Sequence, residues 1–210
     1  MRVATVEAMV AHIVPKCVAS FQVRYPNLTV SVDVLGTFDV VDAVVRDAVD
    51  IGIAFCPEDR DDVDVKREFP QPLYAVVAPS NPLAATKGVS LSDLSEFRVA
   101  LPNESFGIRR LIEKVARKAP VRFVRCLETN SIEMVKGLAR HSTAVTFLPG
   151  SAVIQDVRQG LLCAVPLSDP DLRLACVRVL SMKGRALSRA ANAFLESLDA
   201  VAKEDLELVG

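Results

Sequence analysis

Strands and helices alternate along the chain, as its hydrophobic and polar positions show. Apolar residues recur at helical spacing over residues 8–25, whereas residues 28–35 alternate apolar and polar positions as a half-buried strand does. A short helix is predicted at 39–48, and the apolar run 51–55 is typical of a buried strand. Pro15 lies inside the first helical pattern, where it either kinks the helix or marks its working start.

The rest of the chain continues this alternation, with a polar loop at 57–64 and a Pro- and Asn-rich turn at 79–83. Further strands are predicted at residues 3–6, 65–69, 73–78, 98–101, 121–127, 144–148, 161–166 and 172–181. Further helices are predicted at a short segment from 92, and at 106–117, 131–140, 151–159 and 188–202. Such alternation favours an α/β fold with mainly parallel sheets.

Composition and charge narrow the functional classes. The 210 residues suit one large domain or two small ones, and hydrophobic residues make up 50% of them, enough for a packed core. Lys plus Arg number 25 against 26 Asp plus Glu, for a net charge of -1. This balance argues against a chain whose main surface grips nucleic acid phosphates.

Motifs for chemistry and for membranes are absent from the sequence. No run of 18 or more apolar residues occurs, so no membrane span is predicted. The two histidines are far apart, and HExxH, GxSxG, Walker and GxGxxG patterns are all missing. The five cysteines are odd in number, without a CxxC pair, which favours free thiols in a reducing cytoplasm. We therefore expect a cytoplasmic protein that is not an enzyme and binds neither a metal nor a cofactor.

Two polar segments follow predicted strands and precede predicted helices. The first is Thr129, Asn130 and Ser131. These side chains either cap the following helix or also contact a ligand, since helix starts offer free N–H groups and favour anions. The second segment runs from Asn103 through Ser105 and Phe106. Its hydroxyl and N–H groups are suited to a carboxylate, with the Phe106 ring as an apolar wall.

Arg109 and Arg110 lie one turn into the helix that follows the second polar segment. Each of them either adds charge-assisted hydrogen bonds to a bound carboxylate or is a solvated surface residue. The sequence leaves both alternatives open.

Eight stretches, in order and covering nearly the whole chain, together resemble the effector-binding domain of LysR-type transcriptional regulators. They read RVATVEAMVAHIVP, FQVRYPNLTVSVDV, DAVDIGIAF, LYAVVAPSNPLA, VSLSDL, LETNSIEMVKGLA, TFLP and QGLL before VPL. The resemblance implies two Rossmann-like subdomains, like those of type 2 periplasmic binding proteins, joined by two crossover strands near 76–79 and 172–175. Subdomain I would be 1–77 plus 175–210, and subdomain II would be 78–174, with the effector in the cleft between them.

The resemblance also implies that the ends of two strands in subdomain I line that cleft. The residues concerned are Thr5, Val6, Glu7, Ala8 and Phe55. The family often has Ser or Thr at the first strand's end, whereas this chain has Val6 and Ala8. Glu7 either supplies a favourable charge at a helix start or pairs with a cationic group of the ligand. Together with the two helix-start segments, Glu7 leads us to expect an effector that is either a simple carboxylate or an amino-acid-like compound with an amine as well.

The implied function is ligand sensing and oligomerisation for a transcriptional regulator. The resemblance implies a homodimer, a tetramer in the full-length protein, and DNA contact only through an N-terminal winged helix-turn-helix that this chain lacks. Because the chain starts almost inside a core strand, we expect it to be a piece of a longer protein. The apolar surface of the first helix lies either in a subunit interface or buried beside its neighbours. A free-standing solute-binding protein of a transport system is the alternative function, and an enzyme on the same scaffold is a third class.

Overall fold

The computed structural model describes residues 1–118 and 121–206, which fall into two compact units. Unit 1 comprises Met1–Phe69 and Val177–Gly210, and unit 2 comprises Pro70–Cys176. The strands are β1 Arg2–Thr5, β2 Ser31–Val34, β3 Ile51–Phe55, β4 Val63–Pro70, β5 Leu73–Val77, β6 Arg98–Pro102, β7 Val124–Thr129, β8 Thr146–Pro149, β9 Cys163–Pro166 and β10 Cys176–Met182. The helices are α1 Ile13–Arg24, α2 Thr37–Val45, α3 Gly107–Lys118, α4 Ile132–His141, α5 Gly150–Arg158, α6 Pro170–Arg173 and α7 Arg189–Leu206. Short 3-10 turns lie at Glu7–Met9, Pro82–Ala85 and Ser92–Leu94.

The sheets are mixed and not mainly parallel. In unit 1 the strand order is β2-β1-β3-β10-β4, with β1 parallel to β2 and β3 and with β10 antiparallel to β3. In unit 2, β5 runs antiparallel to both β8 and β9, whereas β6 and β7 pair in parallel. Two strands that a helical crossover connects run parallel. β10 instead follows α6 from unit 2 and runs opposite to β3 in the sheet of unit 1. Chain order alone does not reveal that direction.

Three local predictions are resolved or corrected. Pro15 is the third residue of α1, where its missing N–H would have no helical partner, so it lies at the helix start and not at a kink. The strand predicted at 172–181 begins only at Cys176, because Pro170 opens the short helix α6 instead. The loop predicted at 57–64 ends early, since β4 begins at Val63.

The apolar face of α1 is buried against α7 within unit 1. The Phe21 ring packs edge-on against the Phe194 ring, with centroids 5.9 Å apart. The Cys17 thiol donates to the Phe194 carbonyl at 3.6 Å, and burial raises the pKa of this thiol to about 12. Burial therefore accounts for Ile13, Val14, Cys17 and Phe21, whereas Val23 of the same helix is exposed.

The boundaries between the units differ from those implied by the resemblance. Unit 1 ends at Phe69, before β5, and resumes at Val177. β5 belongs with unit 2 because it pairs along its length with β8 and β9, for example Leu73 with Pro149 and Val77 with Cys163. The assignment of these units as regulatory subdomains I and II stays a prediction.

The part of the chain that the structure describes offers no membrane-spanning helix, no disulfide bond and no metal cluster. None of its helices combines the length and the apolar character needed to cross a membrane. All five cysteines are free thiols. Within residues 1–118 and 121–206, no group of three or more His, Cys, Asp or Glu side chains is placed to hold a metal ion.

A glycine allows β3 to pack closely against α2. A Cβ added to Gly52 would lie 2.5 Å from Val44 Cγ2 and 3.0 Å from Val40 Cγ1. Both valines are fully buried, and a β-branched side chain has little rotamer freedom to move aside. The variant Gly52→Ala should therefore lower the free energy of unfolding by about 1–3 kcal/mol, measured by urea denaturation.

Gly137, in α4, serves as the matched control. An added Cβ there meets nothing within 4 Å. Gly137→Ala should be neutral or stabilising by up to about 1 kcal/mol, because alanine favours a helix interior. Equal stability of the two variants would contradict close packing at Gly52.

Candidate functional site

The two polar segments predicted from the sequence lie side by side in unit 2. β6 and β7 are parallel neighbours, with Pro102 opposite Thr129 at their carboxyl ends. The Asn103 N–H donates to the Thr129 carbonyl at 2.8 Å, which extends the pairing one residue past β6. The strand ends, the two segments and the starts of α3 and α4 therefore form one edge. Open α/β sheets bind ligands at such carboxyl edges.

The segment after β7 combines helix capping with unused hydrogen-bonding capacity. The Ser131 hydroxyl oxygen accepts from the Met134 N–H at 3.3 Å, so Ser131 is the N-cap of α4. The Ser131 N–H in turn donates to the Thr129 hydroxyl oxygen at 3.2 Å. Asn130 is exposed. The Thr129 hydroxyl hydrogen has no acceptor among the described residues, which leaves it available to a ligand.

The segment after β6 is ordered by Asn103. Its side-chain oxygen accepts from the Ser105 N–H at 3.2 Å and from the Ser105 hydroxyl at 2.7 Å. Because both of these groups donate, the acceptor is the amide oxygen, and the Asn103 NH₂ group is left as a donor. The Phe106 N–H donates to the Asn103 carbonyl at 3.2 Å, and the Phe106 side chain is buried.

A buried guanidinium, Arg109, ties the two strand ends together from behind. Its side chain is 1% exposed and donates to the Pro102 carbonyl at 3.1 Å and to Glu128 at 3.0 Å. A third bond reaches Glu113 at 2.6 Å. Burial lowers the pKa of the guanidinium, but the hydrogen bonds to Glu113 and Glu128 outweigh that effect, so its pKa lies above the ordinary value. We call Arg109 with these three partners the strand-end clamp.

The clamp corrects both interpretations of Arg109. It is neither a solvated surface residue nor a free ligand contact, because its bonds run to Pro102 and Glu128, the residues just before the two polar segments. Arg110, the next residue, is exposed. Part of this arrangement has a signal in the sequence. Arg109 lies three residues before Ile112, on the buried face of α3, and four residues before Glu113, the spacing of an ion pair within a helix.

A second buried charge anchors α4 to α5. Lys136 Nζ lies 2.7 Å from Asp156 and 2.6 Å from Glu133, and the Lys136 side chain is only 5% exposed. Arg140 also contacts Asp156. Sequence reasoning missed this pair as well. Lys136 occupies the buried stripe of α4 that contains the apolar residues Ile132, Val135 and Ala139, a spacing that reveals it.

Unit 1 brings its own predicted site residues together at the carboxyl ends of β1 and β3. The Val6 N–H donates to the Ile53 carbonyl at 3.1 Å, and the Thr37 hydroxyl donates to the Phe55 carbonyl at 3.4 Å. Thr5, Val6, Ala8 and Phe55 are buried, whereas Glu7 is half-buried at the start of a 3-10 turn. Glu7 is therefore the ionisable side chain that this segment presents.

The edge in unit 2 is suited to an anionic group. It offers the Thr129 hydroxyl, the Asn103 amide and the starts of α3 and α4, where partial positive charge favours anions. Of the carboxylates next to these residues, Glu128 is occupied by Arg109, whereas Glu104, between Asn103 and Ser105, is exposed. Among the described residues, the hydroxyl groups of Ser105, Thr129 and Ser131 bond to the Asn103 amide and to backbone N–H groups, and none of them bonds to a side chain that could act as a base.

Loss of the clamp should weaken unit 2 measurably. Arg109→Met keeps an apolar stem of similar length but leaves the Pro102 carbonyl without its side-chain donor and frees two carboxylates. Because Glu113 and Glu128 are partly exposed and can rehydrate, we expect the free energy of unfolding to fall by about 1–3 kcal/mol in urea denaturation.

Arg110→Met is the control for that variant, since it removes the same group from an exposed neighbouring position. We expect it to change stability by less than about 0.5 kcal/mol. Arg109→Met and Arg110→Met with the same stability would argue against the clamp.

Comparison with known proteins identifies the family. The model of the LysR substrate binding domain matches residues 1–203. The transcriptional dual regulator GltC of Bacillus subtilis is 26% identical over 192 residues, which cover 90% of this chain and 63% of the regulator. A probable RuBisCO transcriptional regulator of Synechocystis is 24% identical over 196 residues, covering 89% of this chain and 56% of its own length. The chain thus spans about three fifths of these relatives.

Solved structures agree on the fold. The regulatory domain of Synechocystis CcmR in complex with 2-PG has a TM-score of 0.85 at 19% identity, with 97% of each chain covered. The effector-binding domain of QuiR in complex with shikimate has a TM-score of 0.78 at 20% identity, also with 97% of each chain covered. The expected α/β fold of the type 2 periplasmic-binding-protein kind is confirmed. The matched family is one of effector-binding domains and not of enzymes. The chain belongs to the family of LysR substrate-binding domains.

Proposed function

We propose that this chain is the ligand-sensing and oligomerising domain of a LysR-type transcriptional regulator, and that a small-molecule effector binds at the unit 2 edge. The observation that carries the proposal is the pairing of Asn103 with Thr129, which brings two unused donor groups and two helix starts together. The family match over residues 1–203 supports the regulatory role.

The effector that fits this edge best is a carboxylate. This edge offers N–H and O–H donors and two helix starts but no positively charged side chain. Such a site is suited to a single negative charge. Related domains point the same way, because one was solved with shikimate and another with its effector benzoate, both of which carry a carboxylate. We propose separately that Glu7, in unit 1, pairs with an amine where the ligand carries one.

The regulatory mechanism is linkage between effector binding and the arrangement of the protein. An effector shifts the population toward a conformation only to the extent that it binds that conformation more tightly. That shift modulates DNA-dependent transcription through the N-terminal winged helix-turn-helix of the full-length protein. DNA is thus contacted by the winged helix-turn-helix and not by this domain.

The wider setting follows from the family. LysR regulators bind small-molecule effectors and DNA and form oligomers. For this protein we propose a homodimer, a tetramer at full length, a cytoplasmic location and no catalytic activity. A free-standing solute-binding protein of a transport system is disfavoured, since the curated relatives described above are transcriptional regulators.

Replacing the α4 N-cap can separate its capping role from a role in ligand binding. Aspartate caps a helix as well as serine does, so Ser131→Asp should leave the free energy of unfolding within about 0.5 kcal/mol of the parent. Its added carboxylate would repel an anion at the edge. We expect benzoate or shikimate, whichever stabilises the parent more in a thermal-shift assay, to bind Ser131→Asp at least about tenfold more weakly by calorimetry.

Two further variants complete that test. Ser131→Asn keeps a neutral cap and should retain binding, whereas Ser131→Ala should lose about 1 kcal/mol of stability with the cap. Undiminished carboxylate binding by Ser131→Asp would place the effector elsewhere. Failure of every acid in a broad panel to stabilise the parent would contradict the carboxylate class, because a ligand at 100 times its dissociation constant contributes about 2.7 kcal/mol.

Glu7 offers a test of the amine. Glu7→Gln removes the negative charge while keeping the size of the side chain. If Glu7 pairs with a ligand ammonium, the variant should weaken binding of an amino acid by about tenfold but leave binding of the matching acid without the amine unchanged. Calorimetric titration of the two ligands measures this ratio. An equal effect on both ligands would limit Glu7 to its place at the helix start.

A further inference from the structure

Positive charge is concentrated in one segment of unit 2, away from the edge described above. Residues 109–125 contain seven Lys or Arg and a single acidic residue, Glu113, in a chain whose net charge is -1. Helix α3 carries five of these cations, Arg122 lies just before β7, and Arg125 lies in β7. A local excess of this kind raises the concentration of anions at the surface.

A groove lies between α3 and the residues that lead into β7. Its volume is about 740 Å³, within the range of small-molecule sites. Its lining combines apolar and charged side chains, including Leu101, Glu113, Arg117, Arg122, Phe123 and Arg125. We call it the α3–β7 groove.

The cations of the groove exceed what its one carboxylate can balance. Glu113 already pairs with the buried Arg109 at 2.6 Å, and it lies 3.3 Å from Arg125 and 3.7 Å from Arg117. Arg122 has no ion-pair partner in the described part of the chain. Arg117 and Arg125 therefore share with Arg109 a single carboxylate, and Arg122 adds a positive charge that it does not balance.

The apolar lining of the groove is firmly held. Leu101 is 1% exposed, and the Phe123 ring packs against the Phe147 ring with centroids 5.7 Å apart. Because Phe123 is only half-buried, its ring can contact a carbon framework next to the anionic groups of a ligand.

We propose that the α3–β7 groove binds a small phosphorylated molecule with at least two negative charges. Guanidinium groups match phosphate oxygens in a bidentate geometry, and several of them together suit a multiply charged anion better than one carboxylate. The groove borders the beginning of β7, whereas the effector edge lies at its end, at Thr129. The proposal is thus independent of the proposed effector site.

Calorimetric titration with inorganic pyrophosphate provides the test, because this probe carries the phosphate charge without a framework. We expect saturable binding that weakens at least about tenfold in Arg122→Gln/Arg125→Gln. The matched control is Arg158→Gln/Arg173→Gln, which removes the same charge from exposed positions of unit 2 outside the groove. This control should bind pyrophosphate as the parent does.

Several results would overturn the proposal. One is the absence of saturable pyrophosphate binding at millimolar concentration. Another is an equal loss of pyrophosphate affinity in both double variants. A third is unchanged pyrophosphate binding by Arg122→Gln/Arg125→Gln together with a changed oligomeric mass. Ser131→Asp distinguishes the two sites. Loss of pyrophosphate binding in that variant would assign the anion to the effector edge, whereas unchanged binding supports a separate groove whatever the fate of the effector proposal.

Discussion

The position of the candidate site depends on one buried cation. Arg109 is removed from water, and a buried guanidinium is tolerated only when acceptors surround it. Its acceptors include the Pro102 carbonyl and Glu128, which immediately precede the two polar segments. Separation of the ends of β6 and β7 would leave that charge unpaired in the interior. The distance between the Asn103 and Thr129 donors is therefore set by Arg109 and its acceptors.

The same design recurs one helix further along. Lys136 is buried on α4 and is satisfied by Asp156 of α5 and by Glu133, while Asn130, just before α4, is exposed. α3 and α4 are thus each anchored by an internal ion pair, and α4 begins with the capping side chain of Ser131. Anchoring by buried charge demands definite geometry, because a misplaced partner leaves an unpaired ion. This geometry is suited to helix starts that must present N–H groups in fixed positions.

Sequence reasoning succeeded where the signal is local and failed where it is not. The alternation of strands and helices and the two polar segments at strand ends follow from periodicity and turn chemistry, and the family resemblance is confirmed by the match over residues 1–203. The expectation of mainly parallel sheets was wrong, because antiparallel partners such as β3 and β10 lie far apart in the chain. Arg109 was misjudged for the same reason. Arg109 lies in α3, and its burial depends on Glu128 of β7 and on the Pro102 carbonyl. The helical pattern reveals neither of these partners.

Helix α3 connects the two proposed anion sites of unit 2. Its positive start belongs to the effector edge, and Arg117 near its end offsets the negative pole of the helix. That effect does not explain Arg122 and Arg125, which lie beyond the helix and still face the groove. Glu113 stands between the two features, since it accepts from Arg109 and from Arg125 with the same oxygen. An anion in the groove would draw Arg117 and Arg125 away from Glu113 and leave that carboxylate to Arg109 alone, so filling the groove would strengthen the bond that holds the strand ends together.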